Sequence, residues 1–321
     1  LVPGRNKVQV SVMNQQGTES LRQTVYTVYS AEDIPQDLYV VAIGVSQYQN
    51  SAYNLRFAAK DAQDMIQAYQ ATRHSWSNIH VLPLTNDRAT REEILKAKNL
   101  LMQSRVHDLV IVFAAGHGMT DEAANYFFGT YDIDADNPAG NGLPYEEFEF
   151  LLDGIPALKK VLLLDTCFSG EIENDDPVLL QETQPNVGQT GQVVMRAFKP
   201  IRGISLVPDA GSKETVERLS PDVIRFQQDW FADLRRGTGA AVISSSSGNE
   251  YSLEGPQWGN GVFTYALVHG LKNRKADANG DDRITVSELQ AFVIEQVQQL
   301  TNGGQNPTAR RENLEYDFAV Y

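Results

Sequence analysis

Cysteine is almost missing from this chain, since Cys167 is the only cysteine among 321 residues. A single cysteine excludes an internal disulfide framework but does not fix the compartment, for which we slightly favour the cytoplasm. Long hydrophobic runs are also missing, because no stretch of about 18 apolar residues is present to span a membrane. Basic residues are outnumbered, with 27 Lys and Arg against 41 Asp and Glu. The net charge of −14 disfavours nucleic acid and anionic membrane surfaces and mildly favours basic partners.

The residues that are present are typical of a globular α/β protein. Hydrophobic residues make up 42% of the chain and charged residues 21%, which are ordinary proportions. Two aliphatic runs, Leu109–Phe113 and Val161–Leu164, are apolar at every position, as in strands buried on both faces of a parallel sheet. Strands alternate with helical patterns along the chain. This order predicts a mostly parallel central sheet with helices on both faces.

Polar residues follow both of these buried strands. Leu109–Phe113 leads into a Gly-His-Gly turn at His117, and Val161–Leu164 leads into Asp165 and Cys167. Open α/β sheets place their chemistry at the carboxyl ends of strands, so we expect His117 and Cys167 at one rim. A lone cysteine is more often a buried, inert thiol. A histidine beside it supplies the partner that a thiol needs to become a nucleophilic thiolate near neutral pH.

The spacing of this pair is informative as well. His117 precedes Cys167 by 50 residues, and a separation of about 50 residues is typical of caspases. Several motifs in order along roughly residues 38 to 300 resemble the caspase-fold cysteine peptidases, in particular the metacaspase and bacterial orthocaspase branch. These motifs are Ala42-Ile-Gly-Val-Ser46, Leu55-Arg-Phe-Ala-Ala-Lys-Asp-Ala62, Ala115-Gly-His-Gly118, Asp165-Thr-Cys-Phe-Ser-Gly170 and Gly261-Val-Phe-Thr-Tyr-Ala-Leu267.

The resemblance implies a caspase-like sandwich and a peptidase mechanism. Cys167 would attack a peptide carbonyl to form an acyl-enzyme, with His117 as its base and acid. The backbone N–H groups of Gly118 and Cys167 would hold the oxyanion. We find no Asp or Asn that is an obvious partner for His117, and the family requires none. No cofactor is implied for this chemistry.

The resemblance also implies the substrates, which would be proteins or peptides with Arg or Lys at P1, the residue before the scissile bond. Animal caspases bind a P1 aspartate through arginines and carry Gln-Ala-Cys-Arg-Gly at the nucleophile, which this chain lacks. Metacaspases bind basic P1 residues through acids, and two of those positions match Asp61 and Asp165. Two other P1-binding positions differ from the metacaspase pattern, since Ala58 and Ala115 stand where the family often has Cys and Ser. A planar guanidinium satisfies paired carboxylates well, so we expect Arg to be preferred over Lys.

Both acids also have a structural interpretation. Asp61 falls on the apolar side of a helix predicted from about Arg56 to Arg73, where it could compensate the helix dipole. Asp165 could bond backbone groups near its strand end.

Two alternatives for the whole chain stay open, namely a catalytically silent caspase-fold scaffold that binds partners and an Asp-specific caspase. A receiver-like domain phosphorylated on Asp165 is disfavoured by the length and by the Gly-His-Gly turn.

Two regions lie outside the predicted core. Within residues 1–36, apolar and polar residues alternate on both sides of a polar turn. This pattern predicts a β-hairpin and linker before the main domain at residues 37–321. We expect this hairpin to end an upstream β-rich domain or to pack on the main domain. Residues 171–236 follow the Cys167 strand as an insertion or a processing linker. If self-processing occurs, we expect the cut within this segment after a basic residue, for which the candidates are Arg196, Lys199, Arg202, Lys213 and Arg218.

Residues 277–288 have the pattern of a calcium-binding EF-hand loop. The oxygen ligands would be Asp277, Asn279, Asp281, the Arg283 carbonyl, Thr285 and Glu288. Asp282 stands where a glycine normally makes the sharp turn, although aspartate tolerates a left-handed backbone better than most residues. Thr285 and Glu288 also form a capping box for the last helix. A structural turn is therefore the favoured interpretation and bound calcium the alternative, with the acidic loop Asp132–Asp136 as a second candidate.

Overall fold

The computed structural model describes residues 4–16, 18–30, 34–121, 125–166, 194–195, 239–246, 252–310 and 317–321. Its strands are β1 Gly4–Val10, β2 Gln23–Tyr29, β3 Leu38–Gly44, β4 Ile79–Thr85, β5 Leu109–Ala115, β6 Gly118–Thr120, β7 Tyr126–Phe128, β8 Leu143–Pro144, β9 Lys159–Asp165, β10 Val194–Met195, β11 Ala241–Ser244, β12 Leu253–Gly255, β13 Asn260–Gly261 and β14 Thr308–Arg310. Its α-helices are α1 Ala58–Gln70, α2 Arg91–Lys96, α3 Lys98–Leu101, α4 Pro138–Asn141, α5 Tyr145–Leu152, α6 Val262–Lys272 and α7 Val286–Leu300. Short 3-10 helices cover Ser51–Tyr53, Arg73–Ser75 and Asn86–Arg88. In this part of the chain, every helix is too short or too polar to cross a bilayer.

The chain divides into two compact units, residues 1–36 and 37–321. In the first unit, β1 and β2 form an antiparallel pair in which Val8 lies opposite Val25. Both of these valines are exposed. The second unit contains the α/β core.

A six-stranded sheet is the centre of the second unit. Its order is β14-β11-β9-β5-β3-β4, and all neighbours are parallel except β14, which runs antiparallel to β11. Every residue of β3 and β5 is buried, because their aliphatic side chains are covered on both faces of the sheet. The predicted mostly parallel α/β sandwich is confirmed.

Three central strands end level with one another. Gly44 pairs with Ala115, and Ala115 pairs in turn with Asp165. The segments that carry His117 and Cys167 therefore leave the sheet from neighbouring strands at one rim. A Cβ on Gly44 would lie 2.4 Å from the carbonyl oxygen of Ala58, so only glycine lets α1 begin this close to the rim.

Two helices, α2 and α7, begin at a threonine whose side chain caps their first turn. Thr90 accepts the N–H of Glu93 at the start of α2, and Thr285 with Glu288 forms a complete capping box on α7. By contrast, the N-cap of α6 is Gly261, which has no side chain to cap with. Helix α6 packs between α1 and α7. Its first turn is satisfied by acids from other elements, which belong to the candidate site.

The structure corrects two sequence expectations. The capping box Thr90-Arg-Glu-Glu93 predicts one helix to about Ser104. The structure divides it into α2 and α3 at Ala97, whose N–H bonds to the carbonyls of Ile94 and Leu95 as a tightened turn. The sequence of residues 314–321 also predicts a closing strand. In the described residues 317–321, Ala319 instead makes a single bridge to Thr285, and β14 takes the edge of the sheet.

The tail pairs with the chain before α7 rather than with the sheet, because its apolar side chains are buried there. Val320 N–H donates to the Ile284 carbonyl at 2.7 Å, and Phe318 accepts from Val286 N–H at 3.0 Å. The sequence predicts a helix over residues 221–234 of the insertion, but this segment and most of residues 171–236 lie outside the described residues. The described part of the insertion is β10, which pairs with β12.

Candidate active site

His117 lies directly after the rim turn at Gly116 and is only 6% exposed. Its backbone N–H donates to the hydroxyl of Tyr48 at 3.0 Å, and its Nε2 lies 2.9 Å from the carbonyl oxygen of Tyr53. A carbonyl oxygen can only accept, so Nε2 carries a proton in this contact. In the neutral ring the basic nitrogen is then Nδ1. The Tyr53 carbonyl thus selects the tautomer and the orientation of the imidazole.

Both contacts come from one loop between β3 and α1. The N–H of Tyr48 donates to Asn54 Oδ1 at 2.8 Å, which ties Tyr48 to the residue that follows Tyr53. The rings of Tyr48 and His117 lie 5.3 Å apart. Sequence reasoning found no partner for His117, because a backbone carbonyl leaves no trace in residue identity. Tyr48 and Tyr53 are the functional residues that it missed.

Cys167 lies outside the described residues, and Thr166 is the last described residue before it. The Thr166 hydroxyl pairs with the Tyr126 hydroxyl at 2.7 Å, and its carbonyl accepts from Ser245 Oγ at 2.8 Å and Ser246 Oγ at 3.4 Å. The chain is therefore held on two sides up to the proposed nucleophile. The contact between His117 and Cys167 stays a prediction, as does the oxyanion role of Gly118, which begins β6 opposite Phe128.

Asp61 and Asp165 are both fully buried and meet at the first turn of α6. Asp165 accepts from Ser252 Oγ at 2.7 Å and from the N–H and hydroxyl of Thr264 at 3.2 and 2.5 Å. Asp61 accepts from Asn260 Nδ2 at 2.8 Å and from Gly261 N–H at 3.2 Å. A helix N-terminus favours negative charge, so these contacts stabilise both carboxylates at the start of α6. The sequence position of Asp61 on the apolar side of its helix correctly indicated its burial.

Glu254 is a third fully buried acid that sequence reasoning missed. Its two oxygens accept the N–H groups of Arg56 and Phe57 at 2.8 and 3.3 Å, just before α1 begins. The two helices are therefore capped reciprocally. Helix α1 supplies Asp61 to the start of α6, and strand β12 supplies Glu254 to the start of α1. No local pattern predicts this, because Glu254 and Arg56 are far apart in sequence.

The loop at 277–288 forms a closed turn. Asp282 adopts a φ of 65°, which is the left-handed backbone that the motif requires. Asp277 accepts the N–H groups of Gly280 at 2.7 Å and Asp282 at 3.0 Å, and Glu288 accepts the N–H of Thr285 at 2.9 Å. In the described part of the chain, no three His, Cys, Asp or Glu side chains lie together in a way that could hold a metal ion.

Comparison with known proteins identifies the family. Residues 38–319 match the caspase domain of the peptidase family C14. The chain belongs to the caspase-domain family. Protein GSU0716 from Geobacter sulfurreducens, solved by crystallography, is similar to this caspase domain with a TM-score of 0.52 at 18% sequence identity, over 86% of this chain and 93% of that one. That likeness supports the fold alone. A search of curated proteins found no match to this caspase domain.

Proposed function

We propose that this caspase domain is a cysteine endopeptidase of the metacaspase and orthocaspase type, which cleaves after Arg and less well after Lys. The observation that carries the proposal is the environment of His117. Its Nε2 is bound to the Tyr53 carbonyl, which leaves Nδ1 as the basic nitrogen, and its strand is the direct neighbour of the strand that leads to Cys167.

The mechanism follows from that tautomer. Nδ1 of His117 takes the thiol proton of Cys167, and the thiolate attacks the carbonyl carbon of the scissile bond. The C–N bond breaks, and the imidazolium protonates the leaving amine. Water then hydrolyses the thioester and regenerates the thiol. Throughout the cycle the Tyr53 carbonyl accepts a hydrogen bond from Nε2–H of His117. This hydrogen bond stabilises the imidazolium.

Asp61 and Asp165 would provide the specificity. They are two buried carboxylates held by hydrogen bonds at one helix start, and Asp165 precedes Cys167 by two residues. Paired carboxylates suit a guanidinium, which presents a planar fork of donors. The net charge of −14 further favours basic substrates over acidic ones.

The test is cleavage of a fluorogenic peptide library with varied P1 residues by the wild type, Cys167→Ala and His117→Ala. We expect hydrolysis after Arg, then Lys, and none after Asp, with Cys167→Ala inactive and His117→Ala left with only a small residual activity. Preferential cleavage after Asp would indicate an Asp-specific caspase. Activity that survives in Cys167→Ala would refute the mechanism. Labelling with a peptidyl-Arg chloromethylketone distinguishes an active enzyme from a silent scaffold, because only a reactive thiolate is alkylated.

A further inference from the structure

Strand β4 ends at the same rim as the three central strands. Its last residue, Thr85, pairs with Gly44, and Gly44 pairs with Ala115 on its other side. Asn86 follows Thr85 and therefore leaves the sheet beside the loop between β3 and α1. The carboxyl ends of parallel strands are where α/β proteins position their chemistry. Asn86 thus belongs to the rim that carries His117.

The backbone of Asn86 is strained. Its φ of 50° lies in the left-handed region, which glycine adopts freely and asparagine tolerates better than most residues. Strain of this kind clusters at functional sites, where the surrounding structure maintains it. Because glycine would relieve the strain, the side chain of Asn86 is the feature to explain.

That side chain holds the start of the loop that contacts His117. Asn86 Oδ1 accepts the backbone N–H groups of Ser46 and Gln47, both at 3.0 Å. An amide oxygen has two lone pairs, so these two bonds use its full capacity. The residue that follows is Tyr48, whose hydroxyl accepts the N–H of His117 at 3.0 Å.

The first residue of this loop has other bonds as well. The Ser46 carbonyl accepts the N–H of Leu55 at 2.9 Å, and the Ser46 hydroxyl accepts the N–H of Ala59 at 2.8 Å, at the start of α1. Loss of the Asn86 bonds would therefore leave Ser46 and α1 in place. It would loosen the chain mainly toward Tyr48.

We infer that Asn86 is a positioning residue for His117, and the catalytic role of His117 in this statement rests on the proposed function. The Asn86 side chain fixes the loop so that the Tyr48 hydroxyl and the Tyr53 carbonyl hold the imidazole with a proton on Nε2. Asn86 acts through this loop and takes no part in proton transfer. The strained backbone is retained because an acceptor oxygen is needed at this point of the rim.

Kinetics of Asn86→Gly on an Arg peptide test this role, because glycine fits the backbone and removes the acceptor. We expect kcat to fall about tenfold with KM nearly unchanged. Asn86→Asp retains an acceptor oxygen and tolerates the same φ, so its kcat should stay within about threefold of the wild type.

The matched control is Asn302→Gly. Asn302 is exposed and has a φ of 51°, so this variant makes the same exchange at a similar backbone conformation. We expect its kcat to be unchanged. An unchanged kcat in Asn86→Gly, an equal loss in Asn302→Gly, or an Asn86→Asp variant as slow as Asn86→Gly would overturn the inference.

Nitrogen NMR of the His117 ring tests the inference without peptidase activity. The ring signals are assigned by their absence in His117→Ala. We expect one neutral tautomer in the wild type, with the proton on Nε2, and both tautomers in Asn86→Gly. Identical ring signals in these two proteins would overturn the inference. If the wild type cleaves no peptide after Arg but Asn86→Gly alters the tautomer, the proposed function fails and the positioning of His117 by Asn86 stands.

Discussion

The hydroxyl of Tyr48 accepts the backbone N–H of His117 at 3.0 Å, while the carbonyl of Tyr53 accepts from the His117 ring at 2.9 Å. One loop therefore holds the proposed base at two points, its backbone and its imidazole. Asn54 adds rigidity by accepting the N–H of Tyr48. Under the proposed function, Tyr48 is a positioning residue that would act on catalysis only through His117.

Tyr48→Phe tests this relationship, because it keeps the ring and removes only the hydroxyl. The His117 N–H then loses this acceptor, and we expect kcat to fall about tenfold, the equivalent of about 1.4 kcal/mol, with KM nearly unchanged. Steady-state kinetics on an Arg peptide measure both constants. In a His117→Ala background the same substitution should not lower the residual activity further.

The matched control is Tyr69→Phe. Tyr69 is a fully buried tyrosine of α1 whose hydroxyl has no hydrogen-bond partner among the described residues. Its hydroxyl is not needed for packing, so we expect unchanged kcat and an equal or higher melting temperature. Similar losses of kcat in both variants, or an additive loss in the His117→Ala background, would mean that Tyr48 contributes only general stability.

The strands were predictable from sequence, and the partners of His117 were not. Leu109–Phe113 and Val161–Leu164 are apolar throughout, and such runs leave few alternatives to a buried parallel strand. The contacts of His117 depend on where a distant loop places a carbonyl and a hydroxyl. Those positions arise from tertiary packing, on which a local pattern carries no information.

Asp61→Asn and Asp165→Asn test whether the buried acids bind the P1 residue. Each variant keeps the shape of the side chain and removes its charge. Loss of charge-assisted bonds to the start of α6 should lower stability by about 1–3 kcal/mol. If the acids also bind the P1 residue, kcat/KM for Arg peptides should fall by at least about tenfold, since each 1.4 kcal/mol is a factor of ten. Thermal melts and peptide kinetics measure the two effects separately.

Asp64→Asn is the control for these variants. Asp64 accepts from the same Asn260 amide at 2.7 Å but pairs with exposed Lys60, so its charge is screened by solvent. We expect P1 preference and stability to stay close to those of the wild type. A loss of stability in Asp61→Asn and Asp165→Asn with unchanged preference for Arg would leave these acids as helix caps only.

The difference between Asp61 and Glu254 shows how far sequence can reach into the site. Asp61 interrupts the apolar side of a helix, so its burial is visible from spacing alone. Glu254 belongs to a three-residue strand, which is too short to show an alternation of apolar and polar residues. The acid that caps α1 therefore becomes apparent only from the fold.

Asp37 should make the stability of the caspase domain depend on pH. Burial raises the pKa of Asp37, but hydrogen bonds from His80 and Asn78 and the charge of Arg105 outweigh it and lower that pKa overall. A lowered folded-state pKa stabilises the fold above the unfolded value of about 3.9, and this contribution is lost as the pH falls through the folded-state pKa. We expect Asp37→Asn to destabilise the protein near neutral pH, by about 1–3 kcal/mol.

Urea unfolding of the wild type and Asp37→Asn at a series of pH values measures this contribution. The difference in the free energy of unfolding should be largest near neutral pH and should shrink as the medium becomes more acidic than the unfolded pKa. A difference that is the same at every pH would mean that the carboxylate acts only through the shape of its hydrogen bonds.

The loop at residues 277–288 is expected to be a structural turn, so calcium should not change the melting temperature. Asp277 and Glu288 already accept the loop's own backbone N–H groups, and the capping box alone accounts for Thr285 and Glu288. Thermal melts in calcium and in chelator, for the wild type and Glu288→Gln, provide the test. Glutamine keeps the capping box and removes the charge that a bidentate calcium ligand needs. A calcium-dependent rise in the wild type that Glu288→Gln loses would make this a calcium loop, and an equal rise in both would place the ion elsewhere, with Asp132–Asp136 as the next candidate.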